Sequence, residues 1–197
     1  MADVYGHPDS GHEVILSFDD GPHLKYTPEL LDLLKKESLH AMFFVCGERV
    51  AAAGGRDIVR RAAAEGHIIG NHSYSHPQLT KLTADQVRSE IQRTHDLIAE
   101  FEPAQKLCRP PFGAHNGMVD GILQELGYRV VLWNVDPEDW KAVNKPSKWI
   151  DVAMDQISHR SHTLFLCHDI QQTTVENLPQ LLARIRALPN PQFVKYA

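Results

Sequence analysis

Five short stretches of this chain carry side chains able to do chemistry. Phe18-Asp19-Asp20-Gly21-Pro22 sets two carboxylates side by side. Such neighbours repel, so both stay ionised only beside a cation or strong donors. On a regular strand they would face opposite sides, but Gly21 and Pro22 turn the chain at once and could bring both to one site. An ordinary loop with an aspartate cap is an equal reading of these residues alone. In His72-Ser73-Tyr74-Ser75-His76, two imidazoles four residues apart are expected to meet on one side of a helical turn. That spacing suits a divalent metal, and one added Asp makes a three-ligand site with room for water.

Arg109-Pro110-Pro111-Phe112 offers a permanently charged fork that could hold a carboxylate, although a surface arginine before a rigid turn is the plainer alternative. Asp136-Pro137-Glu138-Asp139-Trp140 sets an indole among acids, suited to stacking on a sugar face or to burial in the core. His168-Asp169 supplies either a structural histidine or a general acid–base near neutral pH. The Glu of a His-Glu-x-x-His peptidase signature is missing. So is the His-x-Asp spacing of iron oxygenases, though the ligand types alone would accept iron.

The elements that must position these stretches follow from apolar periodicity. Strands are expected over residues 13–18, 40–45, 67–70, 106–109, 128–135, 163–167 and 192–196. Helices are expected from Thr27 as cap with Pro28 in the first turn, over 57–65 closed by Gly66, and over 83–101 with a Thr83/Gln86 capping box. Others are expected over 117–126, from a Ser147 cap to Ile157, and over 178–188. Strand and helix alternate, which means a mostly parallel sheet with helices outside it. In open sheets and barrels alike, the reactive face lies at the carboxyl ends of the strands. Each of the five stretches follows a strand.

Composition narrows the function further. Lys and Arg number 20 against 25 Asp and Glu, a formal charge of −5, which disfavours a nucleic-acid partner. No apolar run is long enough to span a bilayer. Residues 1–11 carry no basic segment followed by an apolar one, so the chain as given reads as cytoplasmic, or as secreted or periplasmic if a signal was trimmed. Cys46, Cys108 and Cys167 sit in or beside apolar stretches and are expected to be reduced core thiols. One domain over residues 1–197, acting as a monomer, is the simplest account.

In order, LSFDDGPH, HSYSH, RPPF, DPEDW and LFLCHD resemble the five motifs of the polysaccharide deacetylases, carbohydrate esterase family four with its NodB homology domain. The resemblance runs from Val14 to about Val194. It implies an α/β fold, a distorted (β/α) barrel of about seven parallel strands with outer helices. It also implies one divalent metal, zinc foremost with cobalt or nickel as alternatives, held by Asp20, His72 and His76. Asp19 would be the catalytic base and His168 the catalytic acid, oriented by Asp136, with Asp139 the alternative for that role. Arg109 would position Asp19, and the backbone N–H of Phe112 would bind the oxyanion, in a place where the family often has Tyr. Trp140, Leu166 and Asp139 would meet the substrate. The implied activity is removal of N-acetyl groups from N-acetylglucosamine-containing glycans, chitin-like or peptidoglycan, with release of acetate. An acetylxylan (O-acetyl) esterase and a non-catalytic glycan-binding pseudoenzyme are the alternatives.

Overall fold

The computed structural model describes residues 11–196; most of the N-terminal segment expected to lack an export signal falls outside this range. At the centre runs β1 (His12–Asp19), flanked by β2 (Ala41–Val45) and β6 (His162–His168), all parallel. Outward from β2 follow β3 (Ile68–Asn71), β4 (Lys106–Cys108) and β5 (Tyr128–Val130), giving the order β5-β4-β3-β2-β1-β6. The short β7 (Pro191–Phe193) pairs with the start of β1 at His12–Val14. This is the expected parallel sheet of seven strands.

The segment expected as one strand over residues 128–135 is instead broken. β5 ends at Val130, and only Val135 rejoins the sheet, as a parallel bridge to Phe165 of β6. The break has a physical cause. The carbonyls of Val131 and Leu132 accept hydrogen bonds from the Arg109 guanidinium, at 3.1 and 3.0 Å, and so do not serve a ladder. Beyond it, Leu166 N donates to Val135 O at 3.0 Å, which joins the two ends of the sheet into a distorted barrel.

Both faces of the strands are covered, so they read as unbroken apolar runs rather than as an alternation. Val14, Leu16 and Phe18 of β1 share one cluster with Ala41, Phe43 and Val45 of β2. Against them pack Leu30, Leu31 and Leu34 of α1 (Tyr26–Lys36) and Leu178, Leu181 and Leu182 of α7 (Gln172–Arg186). α3 (Gly55–Ala64) and α6 (Trp149–Ile157) complete that layer. The alternate positions, Ile15, Met42, Phe44, Leu107 and Leu164, fill the barrel interior. α4 (Ala84–Ile98) and α5 (Gly117–Glu125) close the far side over Cys108 and Tyr128. Each fully buried Leu or Phe contributes roughly 1.5–3 kcal/mol relative to exposure, so this two-layer core supplies the stability on which the site draws.

Helix starts agree with expectation where side chains cap. Thr83 and Gln86 form the capping box of α4, and Asn116 caps α5 through Val119 N at 3.0 Å. Thr27 and Ser147 do not cap. Thr27 sits inside the first turn of α1, where its hydroxyl accepts from His23 N at 2.7 Å and donates to Asp169 at 2.5 Å. α6 begins at Trp149 behind Lys148, which makes no side-chain cap, and α7 begins at Gln172, with Pro179 inside it. All three cysteines are free and buried, as expected. Among the described residues no helix is long and apolar enough to cross a membrane.

Packing between α2 (Gly47–Ala51) and α3 leaves no space at Gly55, where an added Cβ would lie 2.0 Å from the Arg49 carbonyl. Gly121, within α5, has nothing within 4 Å of such an atom. Chemical denaturation should therefore find Gly55→Ala destabilised by roughly 2 kcal/mol or more, by overpacking. Gly121→Ala should be stabilised by about 0.5–1 kcal/mol, from helix propensity. Equal effects of the two substitutions would contradict the packing described.

Candidate active site

Strand alternation delivers the first functional groups. Ile15 belongs to the barrel interior, so Ser17 and Asp19, two and four residues on, project to the same side. Asp19 stands in register with His168 on β6, which places these two side chains as cross-strand neighbours. Asp20 would then face the helices, but its backbone turns into the left-handed region at φ 74°. The reversal that lets both carboxylates reach one mouth is thus made at Asp20 itself. Gly21 is required behind it, since a Cβ there would lie 2.2 Å from the buried Asp169 carboxylate.

Arg109 is fully buried, and its guanidinium is committed. Nη1 donates to Asp19 Oδ1 at 2.6 Å and to Ser17 Oγ at 2.9 Å, while Nε and Nη2 hold the carbonyls described above. The group lies 4.1 Å over the Phe44 ring. A buried ion pair with its donors satisfied in this way holds the Asp19 carboxylate in one place.

Asp20, His72 and His76 converge. One ligand atom from each lies within 4.8 Å of the others. Asp20 Oδ1 is 3.4 Å from His72 Nε2 and 3.1 Å from His76 Nε2, yet it is buried and accepts no hydrogen bond of adequate direction. His72 Nδ1 lies 2.6 Å from the Arg109 carbonyl, an acceptor only, so Nδ1 carries the hydrogen and Nε2 presents a lone pair. A lone pair facing a carboxylate demands something positive between them. The residues therefore fit a divalent cation, with the backbone of Arg109 orienting one ligand from behind. Against the raising effect of burial, positive charge on the His72 and His76 imidazoles would hold the Asp20 carboxyl well below the usual range, the same demand for positive charge that a bound cation would meet.

The loop carrying the histidines is not the expected helical turn: Ser73 and His76 have φ of 65° and 60°. It is held from below instead. Asn71 Oδ1 accepts from Ser73 N at 2.9 Å, and Ser73 Oγ accepts from His76 N at 3.1 Å. Glu90 of α4 accepts from Tyr74 N, Ser75 N and the Ser75 hydroxyl at 2.8–2.9 Å. Neither Asn71 nor Glu90 was expected from the sequence. A carboxylate at an inward-facing helical position was the available signal.

On the other flank, Asp139 and not Asp136 holds His168. Its Oδ1 lies 2.6 Å from His168 Nδ1, and its Oδ2 accepts from His168 N at 3.0 Å and from the Thr174 hydroxyl at 2.6 Å. Asp139 is 0% exposed with its acceptors used, so the expectation that it meets substrate is also overturned. Burial alone would lower His168, but Asp139 outweighs it and pushes the imidazole up to about 9. A raised value means that this charged pair stabilises the fold fully below about pH 6.5, and the contribution is lost as pH rises through about 9.

Asp19, Asp20, His72, His76, Phe112, Asp136, Trp140, Leu166 and His168 line one pocket of about 340 Å³, together with Trp133 from the broken segment after β5. Arg109 lies behind its wall. Phe112 is 65% exposed, at φ 62°, and its ring meets His76 edge-on at 4.7 Å. Burial raises all three thiols, which leaves them protonated and unsuited to ligate.

An α/β barrel with a cation-ready Asp-His-His cluster at the carboxyl ends of its strands is the class that the fold and site define. The sequence profile described as polysaccharide deacetylase matches residues 6–131. A peptidoglycan-N-acetylglucosamine deacetylase of Bacillus cereus is 41% identical over 145 residues, covering 72% of this chain and 51% of the relative. A chitin deacetylase of Colletotrichum lindemuthianum is 32% identical over 180 residues, covering 86% of this chain and 71% of its own length. The solved peptidoglycan deacetylase PdaC of Bacillus subtilis superposes with a TM-score of 0.78 at 35% identity, over 91% of this chain and 85% of that one. The chain belongs to the polysaccharide deacetylase family. It spans about half the length of the Bacillus cereus relative and 35% of the full PdaC chain.

Asp139→Asn should move the His168 titration, followed by NMR of the imidazole, from near 9 down toward the ordinary 6.5. A midpoint that stays near 9 would contradict the pairing.

Proposed function

We propose that this chain is a metal-dependent hydrolase that removes N-acetyl groups from N-acetylglucosamine-containing glycans. The observation that carries this reading is one pocket bounded by a cation-ready triad, an Arg-held carboxylate and a carboxylate-held imidazole. A divalent cation bound by Asp20, His72 and His76 would supply a Lewis acid that polarises an acyl oxygen and acidifies water. Two imidazoles and a carboxylate suit zinc, with cobalt or nickel permitted by the same ligands.

The protein's own groups account for the proton traffic. Asp19, held in place by Arg109, accepts a proton from the water whose oxygen attacks the acetyl carbon. The backbone N–H of Phe112 is the proposed donor to the charge that develops on the acyl oxygen, a type of contact that typically supplies about 3 kcal/mol. His168, protonated up to about pH 9, gives its proton to the departing nitrogen as the C–N bond breaks. Acetate and a free amine result. An amine anion is a poor leaving group, so a strongly held charged imidazole favours N-acetyl over O-acetyl substrates. Trp140, half exposed at the rim, presents a face for a sugar ring, and Leu166 bounds the pocket where the acetyl methyl would sit. The non-catalytic alternative would require a missing ligand, base or acid, and all five of these side chains are present and assembled.

Acetate release from a panel of chitooligosaccharides, muropeptides and acetylated xylan tests the proposal. Activity should be highest on the N-acetylated members, vanish with a chelator and return with Zn²⁺ or Co²⁺. Equal inactivity of metal-loaded and metal-free protein on every member would overturn it.

A further inference from the structure

With His168 held by Asp139, the pocket retains a carboxylate that the mechanism does not use. Asp136 lines the wall beside His168 and Trp140, and its placement is rigid. Its backbone is clamped on both sides by Gln156 of α6: Asp136 N donates to Gln156 Oε1 at 3.1 Å, and Gln156 Nε2 donates to Asp136 O at 2.7 Å. Its Oδ1 accepts from Glu138 N at 2.8 Å, which fixes the rotation of the carboxylate. Oδ2 takes part in no hydrogen bond or ion pair with any described residue. An ionisable side chain half removed from water, with its backbone and one oxygen anchored and the other bare, is an acceptor prepared for a donor from outside. The donors on an acetylated hexosamine, apart from the reacting amide, are its hydroxyl groups.

We infer that Asp136 is a specificity-determining residue whose free carboxylate oxygen accepts a hydrogen bond from one hydroxyl of the sugar that carries the reacting acetyl group. The inference rests on the deacetylase reading above for its substrate class, and it adds that the pocket reads the sugar as well as the acetamide. A sugar whose corresponding hydroxyl is absent or substituted leaves that half-buried oxygen without its donor and is discriminated against.

The experiment compares wild type, Asp136→Ala and Asp136→Asn on an N-acetylglucosamine oligosaccharide and on its 3-deoxy and 6-deoxy analogues. Both acetate release and calorimetric affinity are read. Asp136→Asn keeps an oxygen for Glu138 N–H and so guards against a loss that merely reflects a disturbed turn. On the parent sugar, Asp136→Ala should lower kcat/KM about 10- to 100-fold, chiefly through KM, with a smaller loss for Asp136→Asn. One deoxy analogue should cost wild type a similar factor and cost Asp136→Ala nothing further. Losses that multiply for both analogues, or a variant as good as wild type, would overturn the inference. If wild type binds with this coupling but releases no acetate, the deacetylase reading fails and the role of Asp136 stands. Turnover and binding without coupling sink Asp136 alone.

Discussion

Two ionised carboxylates on adjacent residues repel by about 3 kcal/mol at ordinary side-chain separations and protein dielectric. The structure answers this by giving each its own principal partner. Asp19 Oδ1 pairs with Arg109 and Asp20 Oδ1 faces His72 and His76, while Asp19 Oδ2 lies 3.7 Å from His72 Nε2. The left-handed turn at Asp20 permits the division, because it keeps both groups at one mouth while pointing them at different neighbours. The rest of the site is arranged around that division, with the Arg109-held Asp19, the cation-ready cluster and the His168–Asp139 pair all at one pocket.

Arg109 reaches further than one ion pair. Its carbonyl selects the tautomer of His72, and its side chain fixes Asp19 and Ser17. The same guanidinium captures the carbonyls that would have continued β5, so the chain leaves the sheet and rejoins it at Val135. That detour carries Trp133 into the pocket wall. Barrel closure and site geometry are two consequences of one buried cation, satisfied by backbone as well as by carboxylate.

Much of this was legible in the sequence because the physics is local. Apolar runs such as residues 41–45 announce strands, Thr83 and Gln86 announce a helix start, and polar residues at strand ends announce a face. What escaped depends on contacts between segments distant in the chain. Asp136 and Asp139 are indistinguishable as residue types; the choice between them turns on Thr174, which is brought near only by α7. Thr27 looked like a cap because its competing partner, Asp169, lies at the other end of the chain. Strand propensity over residues 128–135 could not register a guanidinium arriving from Arg109. The spacing of His72 and His76 suggested a helical turn, whereas Asn71 and Glu90 bind the backbone amides into a different loop.

The division of labour between the two aspartates is best tested by zinc affinity, measured in competition with a chromogenic chelator for Asp19→Asn and Asp20→Asn. Asp20→Asn should weaken binding by orders of magnitude, since it removes a ligand, while Asp19→Asn should stay within about tenfold of wild type, as expected for a group outside the coordination sphere. The reverse order, or equal losses in the two variants, would contradict the assignment of one carboxylate to the ion and the other to Arg109.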